Sequence, residues 1–260
     1  MNFSNAFFNS ESKPLISSCK AADQMIKSYR PTIHFIAAKL NHSCRPNVGY
    51  DFSQNNQRMF TTRDVKQGTE LFDCYSDVVY HEPAWVRQLF LTEKYNFDCR
   101  CDACASTAVE QDQSDGRRMQ MKEIAKTLSK RIGATFLYDE HFSLEVKRIT
   151  GECDESDQYG DLDGTYMRHS NSKSLKPTSD DLMNLLEYIQ LLRREGIDHD
   201  IVECVELAYD LSVFLDDRDA LQQHQLGQSI LKLYEVSKGV KHKRTRQFRK
   251  KLEKYNKIIS

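Results

Sequence analysis

Three cysteines, Cys99, Cys101 and Cys104, form the pattern C-x-C-x-x-C. The residues just before them, Asn96, Phe97 and Asp98, make a stretch too short and too polar to bury three thiols for packing alone. Thiolates are preferred ligands of Zn²⁺, and a structural zinc site takes four tetrahedral ligands. The pattern therefore predicts a structural zinc ion with a fourth ligand from elsewhere in the chain, and Cys44 is our candidate.

Cys44 lies in a dense polar cluster. Residues 40–47 read L-N-H-S-C-R-P-N and follow the apolar run 33–38. So many amide, imidazole and thiol groups close together in the sequence indicate a functional site. Taken alone, Asn41 and His42 have an alternative interpretation, because such side chains also cap turns and satisfy buried backbone groups.

Two further motifs follow in a fixed order. Residues 68–75 read G-T-E-L-F-D-C-Y, and Arg87, Leu91, Tyr95 and Phe97 then lead into the cysteine triplet. Together with residues 40–47, these segments resemble the core of the SET domain and its post-SET zinc loop. The chain resembles most the SET and MYND group and its fungal relatives, and the likeness covers about residues 1–104.

The resemblance implies methylation of a protein lysine side chain with S-adenosylmethionine as the cofactor. It assigns residue roles as follows: Tyr75 and Tyr95 as catalytic; Leu40, Asn41, His42, Asn5, Tyr75 and Phe97 as cofactor-binding; Tyr95 and Phe97 as walls of the lysine channel; Cys44, Cys99, Cys101 and Cys104 as ligands of a structural Zn²⁺. The implied partner is a protein substrate, histone or non-histone. Mono-, di- and trimethylation all stay open, as does the oligomeric state.

The SET pattern lacks one part in this chain. The G-x-G strand segment that opens such domains is absent, so we expect an incomplete version of a longer protein. The alternative is a catalytically inactive, zinc-stabilised module that acts as a protein-interaction scaffold.

The elements that must position these residues divide the chain into two kinds of structure. Short aromatic-rich runs at 58–65 and 69–75 predict strands, and apolar residues at helical spacing after residue 117 predict helices in consecutive hairpins. The fold class is therefore α+β, a β-rich partial SET core followed by an all-α, tetratricopeptide-like region. The expected divisions are a partial SET domain at 1–98, a post-SET loop at 99–104, a linker at 105–116 and a helical region at 117–260, which contains a polar loop at 151–179.

Charge is distributed unevenly along the chain. The net charge of the 260 residues is −1, yet residues 238–257 contain ten Lys or Arg and one acid, Glu253. This basic arm predicts either a solvated helix face or a patch for nuclear import or an acidic partner. We find no recognised nucleic-acid motif, no membrane-spanning run and no export signal, so we expect a protein of the nucleus and/or cytoplasm that is not secreted.

Overall fold

The computed structural model describes residues 34–53, 56–76, 80–134, 136–138, 146–151, 175–198, 201–215 and 220–259. Asn5 and most of the polar loop expected at 151–179 lie outside these described residues. Within them the chain is mostly helical, with a few short strands.

Two small sheets form the amino-terminal part of the described structure. Strand β1 (Asn41–His42) pairs in parallel with β4 (Phe72–Asp73), and β2 (Val48–Ser53) pairs antiparallel with β3 (Asn56–Thr61). The β1–β4 pair joins two sequence motifs that are about 30 residues apart, because Asn41 lies opposite Phe72 and His42 opposite Asp73.

The strands are shorter than the sequence predicts. The strand expected at 58–65 ends at Thr61, because its partner β2 begins at Val48, opposite Thr61. The strand expected at 69–75 keeps two residues, 72 and 73. Next to it, the side chain of Asn47 accepts from the Phe72 N–H at 2.8 Å and donates to the Glu70 carbonyl at 2.9 Å, in place of backbone pairing.

Six helices of 12 residues or more follow within the described residues. Their bounds are α1 Ala84–Tyr95, α2 Ala108–Ile132, α3 Ser179–Glu195, α4 Ile201–Phe214, α5 Ala220–Ser237 and α6 Lys243–Ile259. From α2 onward, each helix packs against the next one in the chain. Among the described residues, no helix combines the length and apolar character needed to cross a membrane.

The linker predicted at 105–116 is wrong from residue 108 onward, because those residues are helical. Helix α2 begins at Ala108, and Thr107 and Glu110 form a capping box at its start. A capping box satisfies amide groups that the first helical turn leaves open. The polar residues from 108 to 116 are therefore helical; several of them are exposed, and Ser114 is buried.

The helical periodicity is confirmed further along the chain. In α2 the expected apolar positions Met121, Ile124, Ala125 and Leu128 are buried. Helix α3 begins after Thr178 and ends at Gly196, which adopts a left-handed φ of 67°. Such a C-cap conformation suits glycine because it has no Cβ.

Candidate active site and metal centre

The four cysteines expected to bind metal come together in the structure. The Sγ atoms of Cys44, Cys99, Cys101 and Cys104 all lie within 4.8 Å of one another. Cys44 and Cys99 are buried, and the other two are partly buried. The backbone also contributes, because the Cys44 N–H donates to the Cys101 Sγ at 3.4 Å. The donor set of four sulfurs fits a structural zinc site.

The electrostatics of this cluster favour a bound cation. Hydrogen bonding to Cys101 and Cys104, together with burial, raises the pKa of the Cys44 thiol. Four thiolates this close repel one another, so they ionise together when a cation offsets their charge. Arg87 lies beside them, fully buried, with Nη2 3.9 Å from the Cys104 Sγ. Burial alone would lower the pKa of Arg87, but the Cys44 and Cys104 sulfurs raise it above its usual value.

Helix α1 holds the cysteine loop through the side chain of Gln88. Its Nε2 donates to the Cys99 carbonyl at 2.7 Å, and its Oε1 accepts from the Cys99 N–H at 2.9 Å. Within the loop, the N–H groups of Cys104 and Ala105 both donate to the Cys101 carbonyl at 2.8 Å. The two-sided contact of Gln88 fixes the orientation of the loop relative to α1.

An aromatic cluster adjoins the cysteines. The Tyr75 ring has its centroid 5.2 Å from that of His42, 5.2 Å from that of Tyr95 and 6.0 Å from that of Phe97. The rings are tilted or edge-on, which is the favourable arrangement for aromatic pairs. Tyr75 is therefore the centre of the cluster.

Two hydrogen bonds from hydroxyls to backbone carbonyls hold Tyr75 in place. Its hydroxyl donates to the Leu40 carbonyl at 2.8 Å, and the Tyr95 hydroxyl donates to the Tyr75 carbonyl at 2.8 Å. Burial, and then the charge of Asp73, raise the pKa of Tyr75. The phenol thus stays protonated at neutral pH and acts as a hydrogen-bond donor.

His42 connects the aromatic cluster to the cysteines. Its Nδ1 accepts from the Tyr75 N–H at 3.1 Å, and its Nε2 lies 3.4 Å from the Cys44 Sγ. Burial lowers the pKa of His42 to about 4, so the ring is neutral, and the Nδ1 acceptor leaves the proton on Nε2. Both ring nitrogens have protein partners, so a ligand would meet His42 through other atoms, such as its backbone.

A cleft of about 670 Å³ opens beside these groups. Asn41, His42, Tyr75 and Phe97 line one part of it, and the cysteine loop from 98 to 102 lines another. Asn41 is exposed, and its Nδ2 donates to the Glu70 carboxylate at 2.6 Å. The volume is in the usual range for small-molecule sites.

A buried ion pair joins the helices to this site. Arg118 of α2 and Glu195 of α3 are both fully buried, and the Arg118 Nε donates to the Glu195 Oε2 at 3.0 Å. The same guanidinium donates to the carbonyls of Tyr80 at 3.2 Å and Cys44 at 3.3 Å. Ser114 also donates to Glu195, at 2.6 Å. The helical array is therefore anchored to the backbone of a candidate metal ligand.

The structure brings together all the described residues that the sequence singled out. They are Leu40, Asn41, His42, Tyr75, Tyr95 and Phe97 around the aromatic cluster, and Cys44, Cys99, Cys101 and Cys104 beside it. Asn5 lies outside the described residues. Gln88, Arg118 and Glu195 were not predicted as site residues, because a polar residue within a helix carries no local sign of a distant partner.

Comparison with known proteins finds a SET domain at residues 5–76. A relative from Acanthamoeba polyphaga mimivirus, the putative SET domain-containing protein L678, is 40% identical over 67 residues, covering 26% of each chain. The SET domain and MYND-type zinc finger protein 6 of Schizosaccharomyces pombe is 36% identical over 98 residues, covering 36% of this chain and 20% of the relative.

The human histone-lysine N-methyltransferase SMYD3 is 32% identical over 91 residues, which cover 35% of this chain and 21% of that protein. These relatives confirm the resemblance to SET and MYND proteins and to fungal SET proteins. The matched segment spans about a quarter or less of each relative's length. Lysine methylation is supported at the level of the family.

Proposed function

Because residues 5–76 of this chain form a SET domain related to those of SET and MYND proteins, we propose that it transfers a methyl group from S-adenosylmethionine to a lysine side chain of a protein. One observation carries the proposal. Tyr75 lies between the segment at Leu40 and the aromatic rings of Tyr95 and Phe97, next to a cleft of ligand size.

The cofactor would occupy that cleft. Asn41, His42, Tyr75 and Phe97, which line the cleft, would hold it. Leu40, which contacts Tyr75, and Asn5, from the segment before the described residues, would join them. When bound, S-adenosylmethionine supplies an electrophilic methyl group on a sulfonium. Asn41 and Phe97 face the cleft, and His42 keeps its place through its contacts with Tyr75 and Cys44.

Tyr75 and Tyr95 would orient the lysine amine. The oxygens in the two hydrogen bonds that hold Tyr75, two hydroxyls and two carbonyls, are acceptors that would orient the N–H groups of the amine. The amine would lose its proton to water, and its lone pair would then take the methyl group as S-adenosylhomocysteine leaves. Tyr95 and Phe97 would form the walls of the channel, because aromatic faces accommodate an alkyl stem that ends in a cation. Tyr75 stays protonated and donates its proton to the Leu40 carbonyl, so its oxygen would orient the amine as an acceptor and would not be the base.

A zinc ion held by Cys44, Cys99, Cys101 and Cys104 would have a structural role, in the manner of a post-SET loop. Four sulfur ligands leave no open coordination position. Cys44 belongs to the cofactor segment, and Cys99 follows Phe97 by two residues. These two ligands would hold the channel wall and the cofactor segment together.

The helical array would form one side of the substrate groove, with tetratricopeptide-like hairpins. Its helices pack in sequence order, and Arg118 attaches it to Cys44. The substrate would be a histone or non-histone protein that presents a lysine.

The experiment combines cofactor binding with methyl transfer. We expect zinc-loaded protein to give heat on titration with S-adenosylmethionine and to transfer tritiated methyl groups to lysines in histones or in a denatured protein mixture. Tyr75→Phe should bind the cofactor and lose about a hundredfold or more in transfer rate, since it loses a positioned hydroxyl. Tyr138→Phe, a partly buried tyrosine beside His81, is the matched control. Absence of cofactor binding would refute the proposal and favour the interaction scaffold.

A further inference from the structure

The last helix, α6, has a buried face that sets its orientation. Thr245, Phe248 and Leu252 are buried on this face. The Phe248 ring has its centroid 5.8 Å from that of Tyr209 in α4 and 5.6 Å from that of Tyr234 in α5. These contacts determine which side chains of α6 face outward.

The flanks of α6 use their cations within the fold. Arg244 pairs with Glu203 at 2.8 Å, and Arg249 pairs with Glu235 at 2.8 Å. Lys251 donates to Asp210 at 2.6 Å. The basic residues on the flanks therefore stabilise the packing of α6 on α4 and α5.

The outward face carries a second set of cations, which we call the basic stripe: Lys243, Arg246, Lys250 and Lys254. All four are exposed, and no carboxylate among the described residues pairs with them. They follow one another at steps of three or four residues, which align them on one side of a helix over about 16 Å. Like charges at this spacing repel and destabilise the helix, so the fold itself gains nothing from the stripe.

The chemistry of the stripe selects the kind of partner. Its neighbours on the outward face, Gln247 and Glu253, are polar, so between residues 243 and 254 this face offers no aromatic or apolar anchor. Protein interfaces depend on such anchors, and helices that bind membrane surfaces insert an apolar face. Among the described side chains of α6, the apolar ones, Phe248 and Leu252, are already buried. Contacts with nucleic-acid phosphates need cations alone, and they carry no sequence information.

We propose that the basic stripe binds the phosphate backbone of duplex DNA without sequence preference. A helix with its side chains is about 10–12 Å wide, which matches the major groove of B-form DNA, whereas the major groove of A-form RNA is too narrow. The stripe would give the protein a DNA contact on α6, separate from the cleft near Tyr75.

The test measures fluorescence anisotropy of a labelled 20-base-pair DNA duplex against the full chain at several salt concentrations. For four phosphate contacts, log K should fall against log salt with a slope of about −3.6, or about a hundredfold between 50 and 200 mM. Two unrelated duplex sequences should bind equally. The variant with Lys243, Arg246, Lys250 and Lys254 all changed to Gln should lose at least tenfold in affinity at 50 mM salt, together with most of the slope.

The control removes the same number of charges elsewhere, with Lys130, Lys176, Arg193 and Lys232 changed to Gln; all four are exposed. It should bind DNA as the unaltered protein does. The stripe variant should melt at the same temperature or higher, because it loses only repulsion. Equal DNA binding by both variants, or absence of binding at 50 mM salt, would overturn the proposal. Tighter binding to an RNA duplex of the same length, or to phosphatidylserine vesicles, than to the DNA duplex would also overturn it.

Discussion

Changing Glu195 to Leu should severely destabilise the protein, because it leaves the guanidinium of Arg118 buried without its carboxylate. Both side chains are 0% exposed. Other cations are near, since Arg117 and Arg45 also contact Glu195, at 2.6 and 3.6 Å. Removing one partner of a buried ion pair costs about 3–5 kcal/mol. That is a large part of the 5–15 kcal/mol that stabilises a typical domain.

The double variant Arg118→Met with Glu195→Leu should be more stable than Glu195→Leu alone. Neither buried charge remains, and replacement of a buried pair by apolar groups is often close to neutral. What stays lost are the hydrogen bonds to the carbonyls of Cys44 and Tyr80 and the one from Ser114 to Glu195, about 1 kcal/mol each. We therefore expect a net cost of about 3 kcal/mol for the double variant.

The assay is urea unfolding of the zinc-loaded protein, followed by the fluorescence of its single tryptophan, Trp85. The control is Glu123→Leu, which breaks an exposed pair with Lys126 and should change the free energy of unfolding by less than 1 kcal/mol. The reasoning is refuted if the unfolding free energy lost by the double variant equals the sum of the losses of Arg118→Met alone and Glu195→Leu alone. Arg118 and Glu195 would then not stabilise each other.

Three further predictions concern the metal site and acid stability. Cys101→Ser should reduce bound zinc, measured by elemental analysis, from about one per chain toward zero. Cys204→Ser, which changes a buried cysteine outside the cluster, should keep it. Gln88→Ala removes two hydrogen bonds to the Cys99 backbone, so zinc should transfer to a chelator faster than from the unaltered protein. Gln120→Ala is the control, and equal transfer rates from the two variants would contradict this. Burial alone raises the pKa of Glu195, but its arginine and serine partners lower it below the ordinary value of 4.5. The stabilisation by the Glu195 carboxylate should thus be complete above pH 4.5 and decline below it. If the unfolding free energies of the unaltered protein and of Glu195→Gln differ by the same amount down to about pH 3, the prediction is contradicted.

The sequence predicted those parts of the site that lie in contiguous motifs. A metal-binding loop is predicted by the spacing of Cys99, Cys101 and Cys104 alone. Tyr75 and the segment from Leu40 to His42 became candidates through the ordered motifs, and the structure brings them into contact. The roles of these residues in catalysis and cofactor binding stay predictions.

The missed features depend on partners that are distant in the chain. Arg118 and Glu195 are 77 positions apart and have no periodic or local pattern. The strand lengths were predicted wrongly for the same reason, because a strand extends only as far as the strand with which it pairs. The error at 105–116 is different: the Thr107 and Glu110 signal was present, but the polar composition concealed it.

The distance along the chain between the cysteines has a consequence for how the protein folds. Cys44 and Cys101 are 57 positions apart. Closing a loop of this length costs about 4 kcal/mol of chain entropy, by the relation used for cross-links. Helices α2 to α6 can form from local contacts, whereas the Arg118 contact with the Cys44 carbonyl needs the closed loop. The helices would therefore form early and pack against the Cys44 segment last. The step between, closure of the loop from Cys44 to Cys101, would be limited by the availability of metal.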